Sequence, residues 1–210
     1  MAYDLQEQEQ LAELKAWWDK YGNLATWIVL AILLGIAAWN GWNAYQRRGA
    51  AAAAVVYGEY LRAQEAHDTA KVKELTGTML ERHGGTVFAA LAALRTAKSD
   101  YDAKDPAGAK ALLQWVIDKS GRDDLALTAR VRLAGVLLDD KEFDAALKLL
   151  DVKVPVSHEL IFADRRGDVY AAQGRFDLAR AQWLAALGKT DGQNPLRDLV
   201  QTKLDALPNG

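Results

Sequence analysis

The chain has 210 residues, half of them apolar, with four prolines, no cysteine and a formal net charge of −2. That length holds one ordinary domain of about 100 to 200 residues with a short segment to spare, so the core needs no metal or disulfide staple. Absence of cysteine excludes disulfides and thiol chemistry, and the near-neutral charge gives no electrostatic reason to expect nucleic-acid binding.

Alanine is abundant and proline occurs only at 106, 155, 195 and 208, a composition that predicts an all-α protein. The first element is an amphipathic run over residues 5 to 18. Leu11, Leu14 and Trp18 recur there at helical spacing, with Glu7 and Glu9 on other faces. Trp17 and Trp18 suit a headgroup layer while Lys15 extends toward water. The same run serves either as a lead into a membrane crossing or as a docking site for a cytoplasmic partner.

Residues 24 to 42, LATWIVLAILLGIAAWNGW, carry no formal charge. As a helix they span roughly 28 Å, about the thickness of a bilayer hydrocarbon core. Tyr21 and Trp27 stand near one end and Trp39, Trp42 and Tyr45 near the other, where amphipathic rings meet two lipid interfaces. A cleaved export signal fits less well, because acidic residues precede the segment and Arg47 and Arg48 interrupt the small residues that follow. A buried soluble helix, apolar on every face, would have to be central to a larger core. A retained anchor is the reading adopted. Lys15 and Lys20 balance Arg47 and Arg48, so charge counting does not orient it. The expected division is a short head at 1–22, a transmembrane helix at 23–45 and a helical domain at 46–210. Gly58 is nearly the only breaker in AAAAAVVYGEYLRAQEA, so the membrane helix is expected to extend directly into that domain.

The domain repeats itself. Residues 130 to 150 align with 163 to 183 at an offset of 33, pairing Ala134 with Gly167, Leu137 with Tyr170, Phe143 with Phe176 and Ala146 with Ala179. Each unit reads as helix, tight turn, helix. Gly174 supplies the second turn and Phe176 closes that hairpin, while small Gly167 and Ala179 let the two backbones approach. Lys141 stands where the first unit would carry glycine, so its turn is expected to differ. A fainter unit spans 88 to 119, with Ala109, Leu113 and Val116 on its second helix, at a spacing of 37. The segment before it is one more helical pair. Pro195 opens a last helix whose apolar face is Leu196, Leu199 and Leu204. This pattern resembles the tetratricopeptide repeat, and predicts a superhelix of stacked pairs with a curved inner surface suited to gripping a peptide or partner helix. Tyr170, Phe176, Trp183 and Trp115 are expected to pack inside and between pairs.

Chemistry is sparse. His67, His83 and His158 lie apart near helix ends, and HELIF at 158–162 has Phe162 where a zinc-binding helix needs its second histidine. In DYDAKDPAG, Asp105 takes the place of the glycine that a calcium loop requires. Ser99, Ser120 and Ser157 lie outside any nucleophile motif, and no phosphate-binding loop is present. No catalytic, cofactor-binding or metal-binding residue is assigned, and no enzyme activity is expected.

The acidic, Gln-rich lead into LAELKAWWDKYGN at 11–23, the single crossing ending in GWNAYQRRG at 41–49, the alanine-rich helix and the degenerate repeats together resemble the YfgM-like family of ancillary SecYEG translocon subunits. Leu14, Trp17, Trp18 and Gly22 match the head pattern; Gly167, Tyr170, Phe176 and Ala179 match the repeat framework. The resemblance implies a bacterial inner-membrane protein with a cytoplasmic N terminus and a periplasmic tetratricopeptide-like domain. It implies association with SecYEG and the membrane-anchored periplasmic chaperone PpiD, and a role in handling exported polypeptides. Without it, the residues fit a structural or regulatory adaptor of another envelope complex equally well.

Overall fold

The computed structural model describes residues 2–188 and 195–208, and the side chains among them apart from those of residues 2–10, 25, 45, 46 and 195. The faces taken by Glu7 and Glu9 and the ring of Tyr45 lie outside the described residues. The regular elements described are all α-helices. The first, α1, runs Ala2–Glu65, and the chain divides into two units, Met1–Gly49 and Ala50–Gly210.

In the first unit the apolar side chains of α1 point outward on every side: Trp27 is 64% exposed and Leu34 62%. No proline interrupts it. One helix among the described residues is long and apolar enough to cross a membrane, by length and composition, and none of its most apolar window is buried. Trp18 folds its indole back over Gly22, where a Cβ would stand 3.0 Å from the ring. Thr26 donates to the Gly22 carbonyl at 2.7 Å. The rings of Trp17 and Tyr21 lie 5.9 Å apart and Lys20 sits 5.2 Å over Tyr21, an aromatic cluster with its cation at one end of the apolar stretch.

The second unit is a succession of helix pairs. Residues 50–65 of α1 pair with α2, Thr69–His83, burying Tyr60, Val72, Leu75 and Met79 between them. Then come α3, Val87–Asp102, with α4, Pro106–Lys119, and α5, Asp123–Asp139, with α6, Phe143–Leu150. The last pair is α7, Val156–Ala172, with α8, Phe176–Leu187, followed by α9, Pro195–Asp205. Small buried residues let the helices approach: Ala93 and Ala97 of α3, Ala129 of α5 and Leu113 and Val116 of α4 share one core. Each fully buried Leu or Val contributes about 1.5 to 3 kcal/mol.

One turn geometry closes all four pairs. His67, Lys104, Lys141 and Gly174 have φ of 55°, 65°, 62° and 74°, in the left-handed region. After each, the next backbone N–H reaches back across the turn: Asp68 to Ala63, Asp105 to Asp100, Glu142 to Leu137 and Arg175 to Tyr170, at 2.8 to 3.0 Å. Asp68 and Asp105 then cap α2 and α4 by accepting from the Lys71 and Gly108 amides, both at 2.9 Å. The different turn expected at Lys141 is therefore corrected. Lysine adopts the glycine conformation because the hydrogen bonds across the turn outweigh a left-handed cost of about 1 to 2 kcal/mol.

These turn residues also reproduce both expected spacings. They are 37 apart from His67 to Lys141 and 33 apart only at the last step. The shortening comes from α6, with 8 residues against 14 in α4, offset in part by the longer connection before α7.

Gly167 does not serve a close approach of two backbones. A Cβ there would lie 2.3 Å from Trp183 Nε1, so the missing side chain makes room for the indole, which is 3% exposed and donates to the Asp164 carbonyl at 3.2 Å. Ala179, 0% exposed, lies in the same core as expected. Tyr170 is half-buried against it, but Phe176, the first residue of α8, is 41% exposed, which corrects the packing expected of it. Phe143, at the equivalent position, is half-buried beneath the connection that carries Val152 and Val154. On α9, Leu196 and Leu204 pack inward with Val200 and Leu207, whereas Leu199 is 49% exposed at the edge of that stripe.

Gly167→Ala should lower stability by about 1 to 3 kcal/mol, despite the helix propensity it gains, because a buried ring must shift. Trp183→Ala should cost about 3 to 5 kcal/mol by emptying the same space. Urea unfolding followed by circular dichroism checks both, and unchanged midpoints would refute this packing. Lys141→Gly should raise stability by about 1 kcal/mol in the same measurement.

Candidate protein-binding face

The first helices of successive pairs, α3, α5 and α7, touch one another in turn, whereas α4, α6 and α8 meet the array through the first helices between them. Helices in direct contact sit closer than helices held apart, so the stack curves with α3, α5 and α7 on the inside. The side chains on that inner side are the surface a partner would meet.

Where α3 and α5 adjoin, a cavity of about 360 Å³ opens, floored by Ala97, Leu113 and Val136. Its rim carries Lys98, Arg132, Arg165 and Asp139, three cations against one carboxylate. Tyr101 donates to the Asp139 carboxylate, and that bond pushes the phenol's pKa up, with burial adding to the shift. Lys98 reaches Asp102 at 2.6 Å, an exposed pair worth little on its own.

Two other charged clusters tie the pairs together. Lys73 of α2 lies 3.2 Å from Asp100 and 3.3 Å from Asp105, and hydrogen bonds to these carboxylates raise its pKa. Asp105 is held below its ordinary value, first by the Gly108 amide and then by Lys73. Lys110 of α4 bridges to Asp140 and Glu142 at 2.7 and 2.6 Å, clamping α4 to the following turn. The DYDAKDPAG stretch is accordingly a helix end, a turn and a cap, as expected of a polar connection.

At the far end, Lys203 of α9 lies 2.7 Å from both Asp164 and Asp168 of α7, and 6.0 Å over the Trp183 ring. Asp164 is 5% exposed. Burial raises the Asp168 carboxyl above its ordinary value against the opposing pull of Lys203. A carboxyl whose folded pKa is raised favours folding when protonated. That contribution is full below the unfolded value of about 3.9 and is lost as pH rises through the folded value, leaving Lys203 to compensate the ionised form at neutral pH.

No group of three or more His, Asp or Glu that could hold a metal occurs among the described residues. His67 forms a turn, His83 ends α2 and His158 lies in the first turn of α7. Of the residues singled out in the head, Leu14 and Trp17 are exposed and Trp18 covers Gly22. Sequence reading missed the inner-face cations; the signal that locates them is the turn register, which was obscured by the unequal period.

Stacked helix pairs closed by a common turn, with a curved inner face, define a tetratricopeptide-like repeat protein. The tetratricopeptide repeat-like domain family matches residues 15–209. Within it, the chain belongs to the family of ancillary SecYEG translocon subunits. It is 31% identical to the ancillary SecYEG translocon subunit of Neisseria gonorrhoeae over 211 residues, covering 99% of this chain and 100% of the relative. The subunit of Escherichia coli is 27% identical over 204 residues, covering 96% of each chain. That of Haemophilus influenzae is 26% identical over 177 residues, covering 83% of this chain and 85% of its own. No solved structure matches.

Lys203→Met should destabilise the domain by about 3 kcal/mol near neutral pH, since it takes the cation from buried Asp164 and half-buried Asp168. The loss should shrink as pH falls and Asp168 takes up a proton. Thermal melts of wild type and variant across the carboxylate range check this; a loss independent of pH would contradict the assigned pairing.

Proposed function

We propose that this protein is a membrane-tethered binding module that accompanies the SecYEG translocon. The observation that carries the reading is a full-length match to ancillary SecYEG translocon subunits in a chain whose helix of membrane-crossing length has no buried side chains in its most apolar window. In this reading residues 1–22 lie in the cytoplasm, 23–45 cross the inner membrane, and 46–210 stand in the periplasm. The lipid bilayer solvates the outward-pointing Leu, Ile and Trp side chains of α1, which no protein core covers. The repeat domain recognises polypeptide by surface complementarity, without nucleotide or metal. Its partners are the channel, the periplasmic chaperone PpiD and polypeptides emerging from export. Curved repeat arrays present an extended surface with little chemistry of its own, which suits reversible capture and release.

Absence of cysteine makes single-cysteine variants clean probes of this arrangement. Lys15→Cys and Ser157→Cys both place the thiol at an exposed position. An impermeant maleimide should label Ser157→Cys from the periplasmic side of intact inner membranes and Lys15→Cys from the cytoplasmic side. Labelling of Ser157→Cys only from the cytoplasm would overturn the orientation. Photocrosslinkers placed along α1 and on the repeat domain in native membranes should recover channel or chaperone subunits, and recovery of neither would reject the translocon role.

A further inference from the structure

Counting back nine residues from each left-handed turn residue gives Gly58, Arg95, Arg132 and Arg165. Three successive first helices therefore carry arginine at one equivalent position, and the cavity beside Gly135 has the last two on its rim. Arg95 donates to the Gln64 side-chain oxygen at 3.4 Å and Arg132 to the Leu94 carbonyl at 3.2 Å. Both acceptors are neutral, and neither arginine has a carboxylate within ion-pair distance among the described residues. Arg165 lies across Gly135, its guanidinium carbon 3.4 Å from where a Cβ would be. It meets Asp168 at only 3.5 Å, and Asp168 is already held by Lys203 at 2.7 Å. The Arg165 Nε is buried without a hydrogen-bond partner. Lys110 and Lys203 sit on carboxylates at 2.6 to 2.7 Å and Lys73 at 3.2 to 3.3 Å, whereas Arg95 and Arg132 meet neutral acceptors and Arg165 only a shared carboxylate, so this row retains charge and donor capacity that the fold leaves unmatched.

We propose that the inner face around Gly135 binds an extended polypeptide segment in which carboxylate side chains flank an apolar one. The carboxylates seat on Arg132 and Arg165, and the apolar group enters the cavity over Ala97, Leu113 and Val136. Guanidinium matches carboxylate in geometry as well as charge. Packed helices lie about 8 to 10 Å apart, and an extended polyproline II segment rises about 3.1 Å per residue and returns to the same face every third residue, so acidic residues three apart match adjacent arginines. Arg95 continues the row for a longer acidic segment. Asp139 opposes a carboxylate on the same rim and Lys98 is taken up by Asp102, so the attraction rests on Arg132 and Arg165.

This inference rests on the protein-binding reading and names the chemistry of the partner. The test uses the full chain in detergent micelles and fluorescent peptides with Glu at every third position and Leu between, against otherwise identical peptides carrying Gln or Lys. The Glu peptide should bind at least about tenfold more tightly than the Gln peptide, with the preference falling as salt rises. Arg132→Gln with Arg165→Gln should remove the preference with the thermal midpoint retained. Arg132→Glu with Arg165→Glu should transfer it to the Lys peptide, which a merely destabilised domain would not do. Equal binding of Glu and Gln peptides by the wild type would overturn the inference, and channel crosslinks obtained in native membranes would show that the translocon role survives it. Binding of a single-stranded oligonucleotide as tight as that of the Glu peptide would also overturn it.

Discussion

The repeat architecture depends on a backbone held at positive φ in the turn of each of four helix pairs. Each left-handed residue lets the chain reverse within a few positions, so the second helix of a pair starts two residues later, already alongside the first. His67, Lys104 and Lys141 occupy a conformation that costs an L-residue about 1 to 2 kcal/mol, and only Gly174 takes it without that cost. What holds the other three is the hydrogen bond that returns across each turn and, at Asp68 and Asp105, a side chain that caps the next helix. Because the turn is common, so is the register. Ala97, Ala134 and Gly167 fall at one position, as do Ala109, Ala146 and Ala179, and all are buried.

The same register explains why the last pair differs. Gly167 leaves space that Trp183 fills, and the filled space supports α9, whose Lys203 reaches back to Asp164 and Asp168. A repeat array needs its last apolar face covered. Here a single helix covers it, through Val200 and half-buried Leu196 and Leu204, joined by Leu207 just beyond its end, with an ionic clamp at its edge. This end combines the indole of Trp183, an ion pair to the buried Asp164 carboxylate and a one-sided helix.

The two units divide the work expected of a tethered binder. The apolar stretch of α1 has no protein core to cover it, and a bilayer is the solvent in which that surface is least costly. The repeat unit keeps its own apolar surface inside and turns an inner side with unmatched guanidinium groups toward whatever it holds. Binding through scattered charged contacts over an apolar cavity would favour modest affinity and quick release.

Helical class, a membrane-length apolar segment and the paired-helix repeat were legible from residues alone, because each is a local pattern: composition, an uncharged run and a spacing. The burial of Trp183 and Ala179 followed from the same periodicity. The sequence by itself also determined the repeat family, through small, aromatic and alanine positions that every helix pair must satisfy in order to pack. Other features depended on contacts between residues distant in the chain. Lysine filled the turn at 141 because hydrogen bonds across the turn compensated its backbone cost. Gly167 served an indole sixteen residues away rather than a neighbouring backbone, and Leu199 faced water because packing selected a different stripe of α9. The row of Arg95, Arg132 and Arg165 was decided only by the tertiary structure: charge counting weighs cations wherever they lie, whereas their alignment exists only once three helices have been brought side by side.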